Sequence, residues 1–243
     1  MDPVRHLATL RADAERMACA AEADLAAPVP SCPDWSMTDL VLHMGRIHRW
    51  VDDIIRSRHQ ERPPFPPRPG DDVDLPAWLR EGADRLVEGL GNVDPDERVW
   101  NFTGADLRAG WWHRRQAQET AVHRWDAQRA VGQEQPIDAD LAADGIDEFL
   151  EVILGGRRGV VDGRSMLLRD TERGREWRVR FHPDLEGGPI AVRSGDDESA
   201  VDATVSGTAS DLLLFLWNRE PATPLEVAGD AAVPDAWRRV VRV

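Results

Sequence analysis

An α+β protein, with an N-terminal four-helix bundle followed by a small C-terminal α+β domain, is what this 243-residue sequence predicts. Two observations carry the prediction. Through the first half, apolar residues recur at the three- and four-residue spacing of amphipathic helices, and proline- or glycine-rich joints separate the stretches. Beyond about residue 160 the period changes to the strict alternation of strands. Taken together they place a bundle over residues 1–155 and a second domain over 156–243, with the boundary near 155–160.

The elements follow in order. Val4 to Ala27 reads as the first helix, with Leu7, Leu10, Ala14, Met17, Ala18, Ala21 and Leu25 on one face, stopped by Pro28-Val29-Pro30. The second opens at Ser36, where Ser36-x-x-Asp39 has the form of a capping box, and runs to about Arg58 with Leu40, Met44, Ile47, Val51 and Ile54 as its inner stripe. The proline-rich stretch Arg62 to Gly70 is a surface connection. A third helix starts near Asp74-Leu75-Pro76 and is expected to end at Gly89 and Gly91, and the fourth spans roughly Leu107 to Val131, closed by Gly132. A fifth, from Asp138 to about Leu154, leads out through Gly155-Gly156. Strands are expected at Ser165–Arg169, Glu176–Phe181, Ile190–Arg193, Val201–Ser206 and Leu225–Val227. Thr208-x-x-Asp211 caps an apolar helix ending at Leu216-Trp217, and a last short helix covers Asp235 to Val241.

Composition narrows the function. A formal charge of −14 speaks against non-specific nucleic-acid binding, which needs a basic surface, and means that an anionic substrate requires a local arginine clamp. No apolar run approaches the roughly 20 residues of a membrane span. The opening Met1 to His6 lacks the basic-then-apolar order of a secretory signal, so a cytoplasmic protein is expected. The two cysteines, Cys19 and Cys32, are too few for a disulfide framework and form no CxxC pair.

The chemistry concentrates on the fourth helix. Glu119 and His123, at i and i+4, leave the same face one turn apart, and that face also carries Trp112, Val122, Asp126 and Ala130. Burying such groups unpaired is costly, and a metal ion explains them: one carboxylate oxygen and one imidazole nitrogen are ordinary zinc ligands. The simpler alternative is a solvated Glu–His pair. His43 falls within the second helix's apolar stripe and supplies the third donor that the pair lacks, although a lone core histidine is also a common structural residue. Asp126, one turn beyond His123, is suited to orient a ligand imidazole by a hydrogen bond. His6, His48, His59, His113 and His182 receive no role. Three protein ligands with an open fourth position describe a catalytic zinc site better than a closed structural one.

The stretch Ser31-Cys32-Pro33-Asp34-Trp35-Ser36 through His43, followed by Gln118-Glu119-Thr120-Ala121-Val122-His123-Arg124-Trp125-Asp126, resembles the mycothiol-dependent maleylpyruvate isomerase family. The stretch from Val205 to Arg219 is similar to that family's small C-terminal domain, related to sterol-carrier proteins, although Asn218-Arg219 stands where a glycine-arginine pair is expected in many relatives. The resemblance implies a DinB-like bundle, His43, Glu119 and His123 as metal ligands, and a reaction in which mycothiol, as thiolate, adds to an electrophilic small molecule. Cis-trans isomerisation and thiol S-transfer both use that thiolate, so the ligands do not separate them. Arg219, at the end of the capped helix, is the candidate clamp for an anionic substrate, or else an arginine serving that helix's C-terminus. A non-catalytic carrier, with an apolar ligand against Leu212 to Trp217, is the alternative from a different class.

Overall fold

The structure is a computed structural model that describes residues 1–104, 106–153, 163–181, 192–193 and 200–240. It divides into two compact units, Met1–Ile137 and Asp138–Val243.

Four helices build the first unit: α1 (Pro3–Ala23), α2 (Met37–Arg56), α3 (Leu75–Asn92) and α4 (Ala109–Ala130). Each of the first three opens on a side chain that satisfies an otherwise orphaned amide. Asp2 accepts from the Arg5 amide at 2.9 Å and Asp74 from that of Ala77 at 3.1 Å. Ser36 and Asp39 form the reciprocal capping box that their spacing predicts. α4 packs mainly on α1, and α2 mainly on α3. One apolar cluster gathers Trp50, Val51, Ile54, Leu86, Leu90 and Trp112, and a second gathers Met17, Met37, Leu40, Met44, Leu79 and Ala127. Helix α4 is buried on nearly every side, so its polar residues are paired inside. Arg124, for example, donates from Nε to Asp13 of α1 at 3.2 Å and from Nη1 to Gln128 at 2.8 Å.

The expected end of the third helix is corrected: α3 runs through Gly89 and Gly91 to Asn92. These glycines are helical, and Gly89 lies where a Cβ would come within 2.7 Å of Asp52 Oδ1 on α2. Gly132, by contrast, has the φ of +67° that a left-handed helix terminator requires.

The second unit begins with α5 (Ala139–Glu148), capped by Asp138 and followed by a π-helical turn at Phe149–Ile153. Strands β1 (Arg164–Asp170), β2 (Glu176–Phe181), β3 (Val192–Arg193), β4 (Ala203–Gly207) and β5 (Glu226–Gly229) form a sheet in the order β3-β2-β1-β4-β5. Among the described residues only the β1–β4 pair is parallel. Met166 and Leu168 of β1, Trp177 and Val179 of β2, and Ala203 and Val205 of β4 are all buried, the inward half of each alternation. Helices α6 (Ala209–Leu216) and α7 (Ala232–Val240) complete the unit, with Trp217 edge-on to Phe149 at 4.9 Å. Helix α5 packs against α6, and the two compact units divide at residue 138. The expected boundary at 155–160, Leu154 at the helix end, His182, Ile190 and Ala191 of the third expected strand, and Val241 at the end of the last expected helix lie outside the described residues.

Candidate metal centre

Helix α4 presents Glu119 and His123 one turn apart, and α2 brings His43 to the same point. The Nε2 atoms of His43 and His123 lie 3.7 and 3.6 Å from Glu119 Oε1. One donor atom from each of the three lies within 4.8 Å of the others. Two donors on one zinc ion, each at about 2.1 Å, can be at most about 4.2 Å apart, so the two measured separations fit a shared ion. The residues are partly accessible, with side-chain exposures of 30% for His43, 23% for Glu119 and 12% for His123, so a small molecule can reach the donors.

The neighbours orient these three. Arg115, one turn before Glu119, donates to its Oε2 at 2.9 Å, which leaves Oε1 toward the two imidazoles. Asp126 Oδ2 accepts from His123 Nδ1 at 2.9 Å, which fixes the tautomer with Nε2 toward Glu119. Asp126 is itself fully buried and takes a 2.5 Å hydrogen bond from Ser31 Oγ at its other oxygen. Ser31 belongs to the loop between α1 and α2, folded by backbone bonds from Val29 N to Trp35 O and from Trp35 N to Cys32 O. The same loop sets the Trp35 ring 5.0 Å from that of His43.

Burial opposes charge at Glu119, but hydrogen bonds from His123 and His43 and the charge of Arg115 outweigh it and hold the carboxyl well below its usual range. Burial likewise opposes the His123 cation, yet its bonds to Asp126 and Glu119 raise the imidazole to about 9. His48, on another face of α2, is fully buried, and that burial pushes it down to about 3. Its Nε2 lies 3.0 Å from Thr120 Oγ1.

Residues 5–128 match the family described as the mycothiol maleylpyruvate isomerase N-terminal domain, and residues 140–236 match the MDMPI C-terminal domain. The chain belongs to the mycothiol maleylpyruvate isomerase family. A crystal structure of the mycothiol-dependent maleylpyruvate isomerase has a similar fold, with a TM-score of 0.64, 14% identity and 95% of each chain covered. A histidine-to-alanine mutant of that isomerase gives a TM-score of 0.62 at 14% identity, with 88% of each chain covered. A search of curated proteins gives no match. The family is one of thiol-dependent cis-trans isomerases. No helix among the described residues is long and apolar enough to cross a membrane.

Of the residues singled out from the sequence of this family member, His43, Glu119, His123 and Asp126 come together. Arg219 sits in the second unit, 6% exposed, with Nη1 donating to the Trp217 carbonyl at 2.7 Å, the arrangement of a residue serving the end of α6. Asn218 before it has a φ of +58°, the left-handed region that glycine enters freely and asparagine better than most others. That accounts for asparagine standing in place of the expected glycine. His113 bonds the carbonyls of Ala109 and Leu90 and is structural. Sequence reasoning missed Arg115, although its i−4 spacing from Glu119 was a usable signal. It also missed Trp35, and it missed Ser31 and the His48–Thr120 pair, whose partners are remote in the chain.

Proposed function

We propose that this chain is a metal- and mycothiol-dependent enzyme of the maleylpyruvate isomerase type, with one divalent ion, zinc, held by His43, Glu119 and His123. The observation that carries this reading is the convergence of two imidazoles and one carboxylate, with Glu119 and His123 each oriented by a further hydrogen bond, at a point small molecules can reach. Two neutral imidazoles and one carboxylate leave a dication with net positive charge, suited to an anionic sulfur ligand. A divalent ion bound there supplies a thiol as its thiolate at neutral pH.

The chain's own groups prepare that chemistry. Arg115 takes one oxygen of Glu119 and leaves the other for the ion. Asp126, steadied by Ser31, keeps the His123 Nδ1 proton so that Nε2 is the donor. Addition of the thiolate to a cis alkene, rotation about the new single bond and elimination of the thiolate leave the trans isomer and regenerate the thiol. Arg219, buried in the second unit and bonded to the Trp217 carbonyl at the end of α6, takes no part in this reading.

The test joins metal analysis to an assay on maleylpyruvate with mycothiol. About one divalent ion per chain is expected, with most of it lost in His43→Ala or His123→Ala. Stoichiometric metal in the double variant overturns the ligand set. Conjugate formation without isomerisation selects S-transfer instead. A metal-free protein with tight lipid binding selects a carrier.

A further inference from the structure

Helix α2 supplies only His43 to the centre, whereas Glu119 and His123 both stand on α4. The donor set therefore depends on the register between two helices that each pack mainly on another partner, α4 on α1 and α2 on α3. Between α2 and α4, Trp50 meets Trp112 edge-on at 6.2 Å, an apolar contact that tolerates sliding. A second contact is directional: His48 Nε2 and Thr120 Oγ1 lie 3.0 Å apart, and both residues are fully buried. Thr120 directly follows Glu119, and His48 stands five residues after His43. The other nitrogen of His48, Nδ1, has no hydrogen-bond partner among the described residues. A buried imidazole bonded at one nitrogen only is a poor choice for stability compared with an apolar side chain of similar size. Stability alone does not account for it.

We propose that the His48–Thr120 hydrogen bond pins the register of α2 against α4 and so sets His43 at its distance from Glu119 and His123. His48 and Thr120 are then positioning residues, and the proposal rests on the reading of the centre as a metal site. Ligand atoms must sit within about 0.2 Å of their ideal distances, whereas a shift of one residue along a helix is about 1.5 Å, so a register pin acts directly on affinity.

The experiment titrates the full-length protein with Co²⁺, whose visible spectrum reports coordination geometry. Thr120→Val, which removes the hydroxyl with little change of shape, and His48→Leu each weaken Co²⁺ binding by about 10–100-fold, the usual cost of losing an orienting partner. They also alter the intensity of the cobalt bands. The double variant is no worse than either single one, because both remove the same bond. His48→Gln, whose amide reaches the same position, recovers most of the affinity. If His48→Leu does not fold, Thr120→Val and His48→Gln carry the test. Wild-type affinity and spectrum in Thr120→Val, or additive losses in the double variant, overturn the pin while the metal centre stands. No uptake of cobalt or zinc by the wild-type chain overturns the centre itself.

Discussion

Asp126 uses both carboxylate oxygens at the centre, one toward His123 and one toward Ser31, and its own burial is complete. Asp126→Ala is therefore expected to weaken metal binding by about 10–100-fold with the fold intact, and Ser31→Ala by less, because it removes only the support of the support. Equilibrium dialysis against zinc checks both, and unchanged affinity in Asp126→Ala reduces that residue to packing. His123 adds a pH dependence. With its imidazole raised to about 9, the metal-free protein holds a proton on His123 at neutral pH, and the ion must displace it. Affinity then rises about tenfold per pH unit up to about 9 and levels off above. Stability of the metal-free fold runs the other way: this contribution is full below the unfolded value of 6.5 and is lost as pH rises through about 9. Calorimetry in buffers of different ionisation enthalpy should show about one proton released per ion near pH 7, and an affinity flat with pH excludes the linkage. At this scale the sequence was legible where partners share a helix. Glu119, His123 and Asp126 lie within two turns of α4, whereas the Ser31–Asp126 bond spans 95 positions and left no local signal.

Between elements, glycine sets how closely α2 and α3 approach. A Cβ on Gly45 would sit 2.1 Å from the Trp78 ring, and one on Gly82 would sit 2.3 Å from the Arg49 guanidinium. Gly91, on an exposed face, would place a Cβ at an ordinary 3.7 Å from Leu7. Opposite outcomes follow from the same substitution. Gly45→Ala overpacks the seam and is expected to cost about 1–3 kcal/mol. Gly91→Ala only restores helix propensity and is expected to stabilise by up to about 1 kcal/mol. Urea midpoints measure both, and a Gly45→Ala variant as stable as the wild type would show that Trp78 simply moves aside. The same residues explain a misread boundary. Glycine near a helix end signals either a left-handed terminator or a close contact, and spacing alone does not distinguish them. Gly132 proved to be the first kind, Gly89 the second. Caps were more legible, because Ser36-x-x-Asp39 and Thr208-x-x-Asp211 are satisfied within four residues.

For the whole molecule, the change from helical to alternating periodicity identified both parts of the α+β fold, and the two compact units divide at residue 138, before α5. A helix's own pattern shows that it has an apolar face and not which core receives that face, and α5 gives its face to α6. Function at this scale depends on what the chain does not provide. Neither Cys19 nor Cys32 belongs to the donor group at the centre, so the protein offers no thiolate of its own there. The nucleophile must then come from solution, and turnover should require an added thiol. Mycothiol is expected to serve better than simpler thiols, since its sugar portion offers contacts that a bare thiol lacks. Glu119→Ala should abolish turnover together with metal binding, because it removes the one anionic ligand. Cys32→Ser should keep most of both. Assays with and without mycothiol, run beside metal analysis of each variant, separate the possibilities. Full turnover without added thiol, or loss of activity in Cys32→Ser with its metal retained, would assign the nucleophile to the protein and overturn the external-thiol mechanism.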